Sequence, residues 1–343
     1  MRYYSIKITD PGTNKVYVPP GFEGLLGGAS YTNWVNGKSF PGAWNVEMDV
    51  QVTYLHQPTG SSFIRIWGIS LQEIAQANNL TGKNIEVSGG MQAGLPLSNP
   101  KFAGLLFTGR IYQCFGNWVG TEMTLDIYFW SGPVEQATNY PQPKNLVVNA
   151  QPNQPMAAWL KTTLQTAYPN FPAVIDISPR LTRPNAEVGY YGSPGELATY
   201  LNKTSRDIIK DASYSGVCVT LDNSQLTVKD WFATVAATTT PKQIAFTDLI
   251  GQPTWIEAGG IIQFKCPMRA DLNINDPIKL PKTLITNTQA AASNLTNQAA
   301  TFQGGFVITT ERHLGVFRQP TADAWVSVFN ARPQALVGLP LAA

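Results

Sequence analysis

Through much of the first 130 residues apolar side chains fall at every second position: Tyr4-Ile6-Ile8, then Val46-Met48-Val50-Val52-Tyr54, then the alternating run Phe63-Ile64-Arg65-Ile66-Trp67. A period of two is that of a strand with one buried face, so this part of the chain must build sheet. Within it, Asn36-Gly37 stands between apolar flanks, the pattern of a hairpin tip whose two turn residues need positive φ. One helix interrupts the strands, over 71–79. Ser70 and Glu73 make a capping box, and Ile69 and Ile74 are spaced for a hydrophobic staple. Strand-like runs follow over 84–88, 105–114 and 121–130, separated by Gly and Asn turns, as in a compact barrel.

Residues 132–155 are rich in Pro, Gln and Asn and predict a connection between domains. Beyond them the period changes to 3.6. Met156, Trp159, Leu160, Thr163, Leu164 and Ala167 share a helix face that Pro169 ends. A second helix is signalled by Ser193 as cap, Pro194 at the first position and Glu196 closing a capping box, with Leu197, Tyr200, Leu201, Thr204 and Ile208 on one face. A hairpin over 217–228 completes a small α+β module. The remainder returns to strands over 243–246, 261–266, 277–280, 306–313 and 325–330. The chain therefore divides into a β unit over 1–145, an α+β insertion over 146–230 and a second β unit over 231–343. The Thr/Asn/Gln/Ala-rich tract 284–305 is too long for a hairpin loop and is expected either to be mobile or to order only against another subunit.

Charge narrows the function classes. The 24 Lys and Arg nearly balance 22 Asp and Glu, and charged residues are only 13% of the chain. A surface with so few charges lacks the usual means of staying apart from neighbours, so much of it is expected to be covered by partner subunits. No apolar run is long enough for a membrane span and the first residues carry no signal segment, so a soluble protein made in the cytosol is expected, with no membrane insertion. Cys114, Cys218 and Cys266 are widely spaced within apolar runs and read as buried thiols.

Candidates for chemistry are sparse. His56 and His313 are the only histidines, which leaves no multi-His metal site, and His313 reads as structural. Thr32 to Ser39 ends like a phosphate loop but has Thr32 where the first Gly belongs and hairpin patterning around it. Asp271 to Asp276 places oxygens at alternate positions like a calcium loop, yet Asp276 replaces the turn Gly and Lys282 the closing Glu, so a strand-connecting turn is expected. Glu122 with Asp126 on a strand, and Asp207 with Asp211 at helical i,i+4 spacing, are carboxylate pairs of the kind glycosidases use, but solvated faces carry such pairs routinely. No catalytic, cofactor or metal residue is assigned, and no enzyme activity is expected.

Three segments resemble the baseplate hub proteins of contractile-tailed bacteriophages. The first is Ser62-Phe63-Ile64-Arg65-Ile66-Trp67-Gly68-Ile69-Ser70 with its capped helix, then Asn84-Ile85-Glu86-Val87-Ser88-Gly89-Gly90 and Gly104-Leu105-Leu106-Phe107-Thr108-Gly109-Arg110-Ile111. The second runs from Asp248-Leu249-Ile250-Gly251-Gln252-Pro253-Thr254 through Gly260-Ile261-Ile262-Gln263-Phe264 and Pro267-Met268 to Pro277-Ile278-Lys279-Leu280. The third is Glu311-Arg312-His313-Leu314-Gly315 before Trp325-Val326-Ser327-Val328-Phe329-Asn330. The resemblance implies a mainly β protein of two tube-like antiparallel barrels plus a small inserted α+β domain. It implies a homotrimer that joins a sixfold tail tube, or a tube initiator, to a threefold central spike and contacts baseplate wedge and tape measure proteins. It further implies a place in the virion after assembly in the host cytoplasm, and transient passage of DNA through a channel free of strong positive patches. Two other classes stay open on the residues alone: a tail-associated cell-wall hydrolase, and a capsid or adhesin-type β protein that binds carbohydrate through its aromatics.

Overall fold

The computed structural model describes the chain except residues 53, 56–61, 95–97, 132–144, 170–171, 212–213, 215, 223–224, 231–239, 258–260, 282–304 and 334–343. His56, Lys282, the pair Gly259-Gly260 and nearly all of the tract 284–305 lie outside the described residues.

The alternating runs form the strands they predict. Strand β1 (Arg2–Thr9) buries Tyr4, Ile6 and Ile8. It pairs with the short β2 (Tyr31–Thr32), and β3 (Trp34–Val35) and β4 (Lys38–Ser39) close the Asn-Gly hairpin. Asn36 and Gly37 sit at φ of 49° and 78°, the left-handed pair that a two-residue hairpin of this kind demands. Strands β5 (Asn45–Val52) and β6 (Ser62–Trp67) turn Val46, Met48, Val50, Ile64 and Ile66 inward. Helix α1 (Leu71–Gln76) begins on the expected box: Ser70 Oγ accepts the Glu73 N–H at 3.2 Å, and the Glu73 carboxylate accepts the Ser70 N–H at 2.8 Å. The α-helix stops earlier than the periodicity predicts. Residues Ala77–Leu80 tighten to a 3-10 turn, whose three-residue repeat puts Ala77 and Leu80 together in the core. Strands β7 (Asn84–Met91), β8 (Gly104–Val119) and β9 (Glu122–Ser131) complete this unit.

In the middle of the chain, the run Leu146-Val147-Val148 is not a connection but the core of strand β10 (Leu146–Ala150). It alternates buried and exposed residues and packs on helix α2 (Met156–Ala167), whose six predicted face residues are all buried. Strands β11 (Ala173–Asp176) and β12 (Glu187–Tyr191) escape the sequence pattern because their alternation only half-buries one face. Helix α3 (Pro194–Ile209) is capped by Ser193, but the Glu196 carboxylate accepts the N–H of Gly192 at 2.7 Å, so the box closes one residue early. The hairpin β13 (Val217–Asp222) and β14 (Gln225–Asp230) is extended by β11, which joins β14 in parallel, while β10 pairs β12 separately. These elements share one hydrophobic cluster of their own.

The third stretch holds β15 (Lys242–Gln243), β16 (Thr254–Glu257), β17 (Ile261–Pro267), β18 (Pro277–Lys279), β19 (Gly305–Val316) and β20 (Trp325–Pro333). The expected strand over 243–246 is cut short, because Phe246–Asp248 forms a 3-10 turn in which the Asp248 carboxylate accepts the Ala245 N–H at 3.0 Å. Its core is a second cluster around Phe264, Phe306 and Phe329.

Both β stretches belong to one mostly antiparallel sheet of 13 strands with the main path β16-β17-β20-β19-β5-β6-β9-β8-β7-β1-β2. Strand β19 is what joins them. Its first residues, Gly305 to Val307, pair with β18, while Glu311 to Val316 pair with β5; β20 lies along its other side. The register with β20 shifts between Ile308 and Thr310, so a bulge marks the hand-over. Side chains reinforce the joint. Met268 and Trp325 come from the third stretch but pack in the core of the first, and Trp325 Nε1 donates to the Gly90 carbonyl at 2.9 Å. The Arg269 guanidinium lies 3.8 Å over the Phe102 ring, beside the bond from Ala270 N–H to the Phe102 carbonyl at 2.7 Å. The Arg2 guanidinium closes the other end, donating to the carbonyls of Val316, Phe317, Gln319 and Thr321.

At the joint Gly315 has no room for a side chain: a Cβ there would lie 2.6 Å from Trp325 Cζ3 and 2.9 Å from Met48 Cγ. Gly315→Ala is therefore expected to cost about 1–3 kcal/mol through overpacking, read as a lower urea midpoint. A variant as stable as the parent would show that the contact between β5, β19 and Trp325 is looser than described.

Candidate interaction surface

The polar residues singled out from the sequence are engaged in structure. Asp126 is buried, and Arg65 grips its two oxygens at 2.7 Å each through Nε and Nη2. Asn117 Nδ2 donates to the same carboxylate at 3.0 Å, while Glu122 is exposed at the start of β9, so the two carboxylates do not face one cleft. Asp207 lies on the exposed side of α3, but that helix ends at Ile209 with Lys210 at φ 53°. Asp211 thus falls beyond it and the i,i+4 pair does not form.

The calcium-like segment is a strand-connecting turn. Asp271 accepts both guanidinium bonds of Arg269 at 2.6 Å, and Asp276 accepts from Asn273 N–H at 2.8 Å and from Lys242 Nζ at 2.6 Å. Among the described residues no group of three His, Cys, Asp or Glu side chains is placed to hold a metal. The phosphate-loop-like residues Thr32 to Ser39 run from the end of β2 through both strands and the tip of the Asn-Gly hairpin. Cys114, Cys218 and Cys266 are buried, and burial pushes each thiol up to about 12, which keeps them protonated and unreactive at neutral pH. His313 is fully buried, as its structural reading requires.

What the fold leaves outside is aromatic. On β6 the residues that alternate with buried Ile64 and Ile66 are Phe63, Arg65 and Trp67, so the period that fills the core also lays a row on the outer face. The Arg65 guanidinium sits 5.4 Å from the Phe63 ring centre and 5.8 Å from that of Trp67. Across β9 the Tyr128 ring lies 5.5 Å from Phe63 and 5.7 Å from Phe115 of β8. A register shift between Ile111 and Gln113 makes Tyr112 the extra residue of a bulge. Its ring stacks on Trp130 at 4.5 Å with an interplanar angle of 23°. Trp130 is 50% exposed, and the other rings are half-buried. A contiguous aromatic face of this kind, with an ion pair at its centre, has the composition of an interface core. Sequence reading missed it because Tyr112 is out of phase with its strand until the bulge is known.

No protein-family model and no curated protein sequence matches the chain. Solved structures do. The 43 kDa tail protein of prophage MuSo2 from Shewanella oneidensis superimposes with a TM-score of 0.52 at 9% identity, covering 99% of this chain and 99% of that one. The chain has the fold of a phage tail protein. A half-lidded PdpA-VgrG complex from Francisella contains a chain that matches this tail-protein fold at a TM-score of 0.51 and 7% identity, over 100% of this chain and 59% of that one. At such identities the shared property is the fold, a mainly β architecture carrying a small α+β module.

The Arg65–Asp126 pair organises the outer face, and Asp126 without its partner would be a buried charge. Arg65→Met is expected to destabilise by roughly 2–4 kcal/mol, and Arg65→Met combined with Asp126→Leu to regain most of that loss. Urea denaturation of these two variants and of Asp126→Leu alone, in a double-mutant cycle with the parent, checks this. Equal losses in the single and double variants would contradict the central place given to the pair.

Proposed function

We propose that the protein is the structural baseplate hub of a phage tail, a homotrimeric adaptor between the sixfold tail tube and the threefold central spike that also lines part of the DNA-ejection channel. The observation that carries the reading is the end-to-end fold match with a prophage tail protein, in which both chains are covered almost completely. The layout of the sheet supports it. Each chain contributes two β units, here taken as 1–145 and 231–343, locked in one sheet through β19 and β5. Three such chains would present six β units around an axis, which is what a threefold object needs to meet a sixfold tube. In this reading the α+β module over 146–230 stands as an insertion.

The aromatic face of β6, β9 and β8 is then a contact between subunits. In the Francisella complex VgrG is bound with PdpA; a spike-type partner for this chain rests on that analogy. The engagement of Asp126, Asp271 and Asp276 with cations, and the burial of the thiols, support a role in assembly over hydrolysis.

Native mass spectrometry at micromolar concentration should show three chains, alone or with the spike protein added. Tyr112→Ser combined with Trp130→Ser should weaken trimer formation at least tenfold, about 1.4 kcal/mol or more, since aromatic anchors dominate interfaces. The variant should still unfold cooperatively. A chain that stays monomeric in both settings would overturn the reading, as would turnover of peptidoglycan that is lost on changing Glu122 to Gln.

A further inference from the structure

The joint between the two β units encloses two titratable side chains in contact. Glu311 and His313 lie two residues apart on β19, both point inward, and both are almost wholly buried. His313 Nε2 is 2.8 Å from Glu311 Oε1. The approach is off the line of a good hydrogen bond, so the contact is chiefly electrostatic. Two lone pairs at this distance would repel, so the pair must hold a proton between them, whichever atom carries it. On the other side of the ring, His313 Nδ1 is 2.8 Å from Ser327 Oγ of β20. That hydroxyl also accepts the Arg269 N–H at 3.0 Å and donates to the Arg269 carbonyl at 3.3 Å, which ties the ring to the turn after β17.

The surroundings decide which charge state is tolerated. From β5 the residues opposite Glu311 and His313 are Val52 and Val50, which bring no charge. From β20 comes Ser327, with Cys266 of β17 opposite it in the ladder. The turn after β17 brings Asp271, paired with Arg269, and Asp276, paired with Lys242; Asp248 lies 3.7 Å from Arg269. Arg312 and Asp49 pair on the outer face of the same strands. Burial pushes the Glu311 carboxyl above its ordinary value; His313 pulls it back, and Asp276 and Asp271 push it further up.

We infer that the Glu311–His313 pair is a proton-dependent lock on the joint between the two β units: closed while the pair holds its proton, loosened when that proton leaves. The sign follows from linkage. A carboxyl raised in the folded state binds its proton more tightly there than in the unfolded chain. Its contribution is complete below about pH 4.5 and is lost as pH rises through the raised value. Once the shared proton has left, the Glu311 carboxylate is an unpaired buried charge on the strand that both units share.

The test is urea denaturation of the full chain at about pH 5 and about pH 9. The parent should lose stability across that range, and Glu311→Gln, which keeps an acceptor but carries no charge, should lose less than half as much. A variant that falls by half the parent's loss or more overturns the inference. Should Glu311→Gln not fold, amide exchange in the parent decides. Corrected for intrinsic rates, opening of the β5–β19 ladder should rise at least tenfold more than opening of the β8–β9 ladder over the same pH change. A smaller difference overturns the lock.

Discussion

The pairing of β19 with β5 is the interaction on which the rest of the architecture depends. Without it the chain would hold two sheets tied by loops, each with an unprotected edge. With it, six successive pairings, from Glu311 with Val52 to Val316 with Glu47, turn two β units into one sheet. The pairing also explains the composition of nearby positions. Gly315 must be small because Trp325 and Met48 close over it, and Gly89 must be small because Met268 and Leu106 fill the space its Cβ would take. Trp325 and Met268, buried at 2% and 1% exposure, are each worth about 1.5–3 kcal/mol of apolar burial. They place that energy in the core of the first unit although they belong to the second.

The same alternation that builds the core accounts for the candidate interface. On β6, Ile64 and Ile66 go in while Phe63, Arg65 and Trp67 go out. The outer row is centred on the Arg65–Asp126 ion pair, whose carboxylate is buried while Arg65 remains about one-third exposed. Low surface charge and this face are two views of one property. The chain puts its cations against specific carboxylates or carbonyls, as Arg2, Arg269 and Lys242 show, and leaves rings for contact.

Among the described residues most strands and the three α-helices could be read from the sequence, because each carries a strong local signal: period-two alternation, a Ser cap with Glu three residues on, or a six-residue apolar helix face. What could not be read depends on distant partners. β11 becomes a strand only because β14 offers it a parallel edge, and β12 only because β10 offers it an antiparallel one. Helix α1 is shorter than its pattern because Leu80 is drawn into the core by a 3-10 turn. The joint was invisible for the same reason. Nothing in Glu311-Arg312-His313-Leu314-Gly315 says that its partner lies some 260 residues earlier. Asp126 could be flagged as a carboxylate, but its bond to Arg65, 61 residues away, is a product of the sheet order.

The central claim of the proposed function is that the two β units, continuous in one sheet, are set around a threefold axis by three chains. A cryo-electron microscopy reconstruction of the purified assembly tests it most directly. The account predicts a threefold ring in which both β units of every chain border the axis and the β5–β19 ladder is continuous between them. A reconstruction in which only one unit reaches the axis, or in which the two units separate along that ladder, would contradict it.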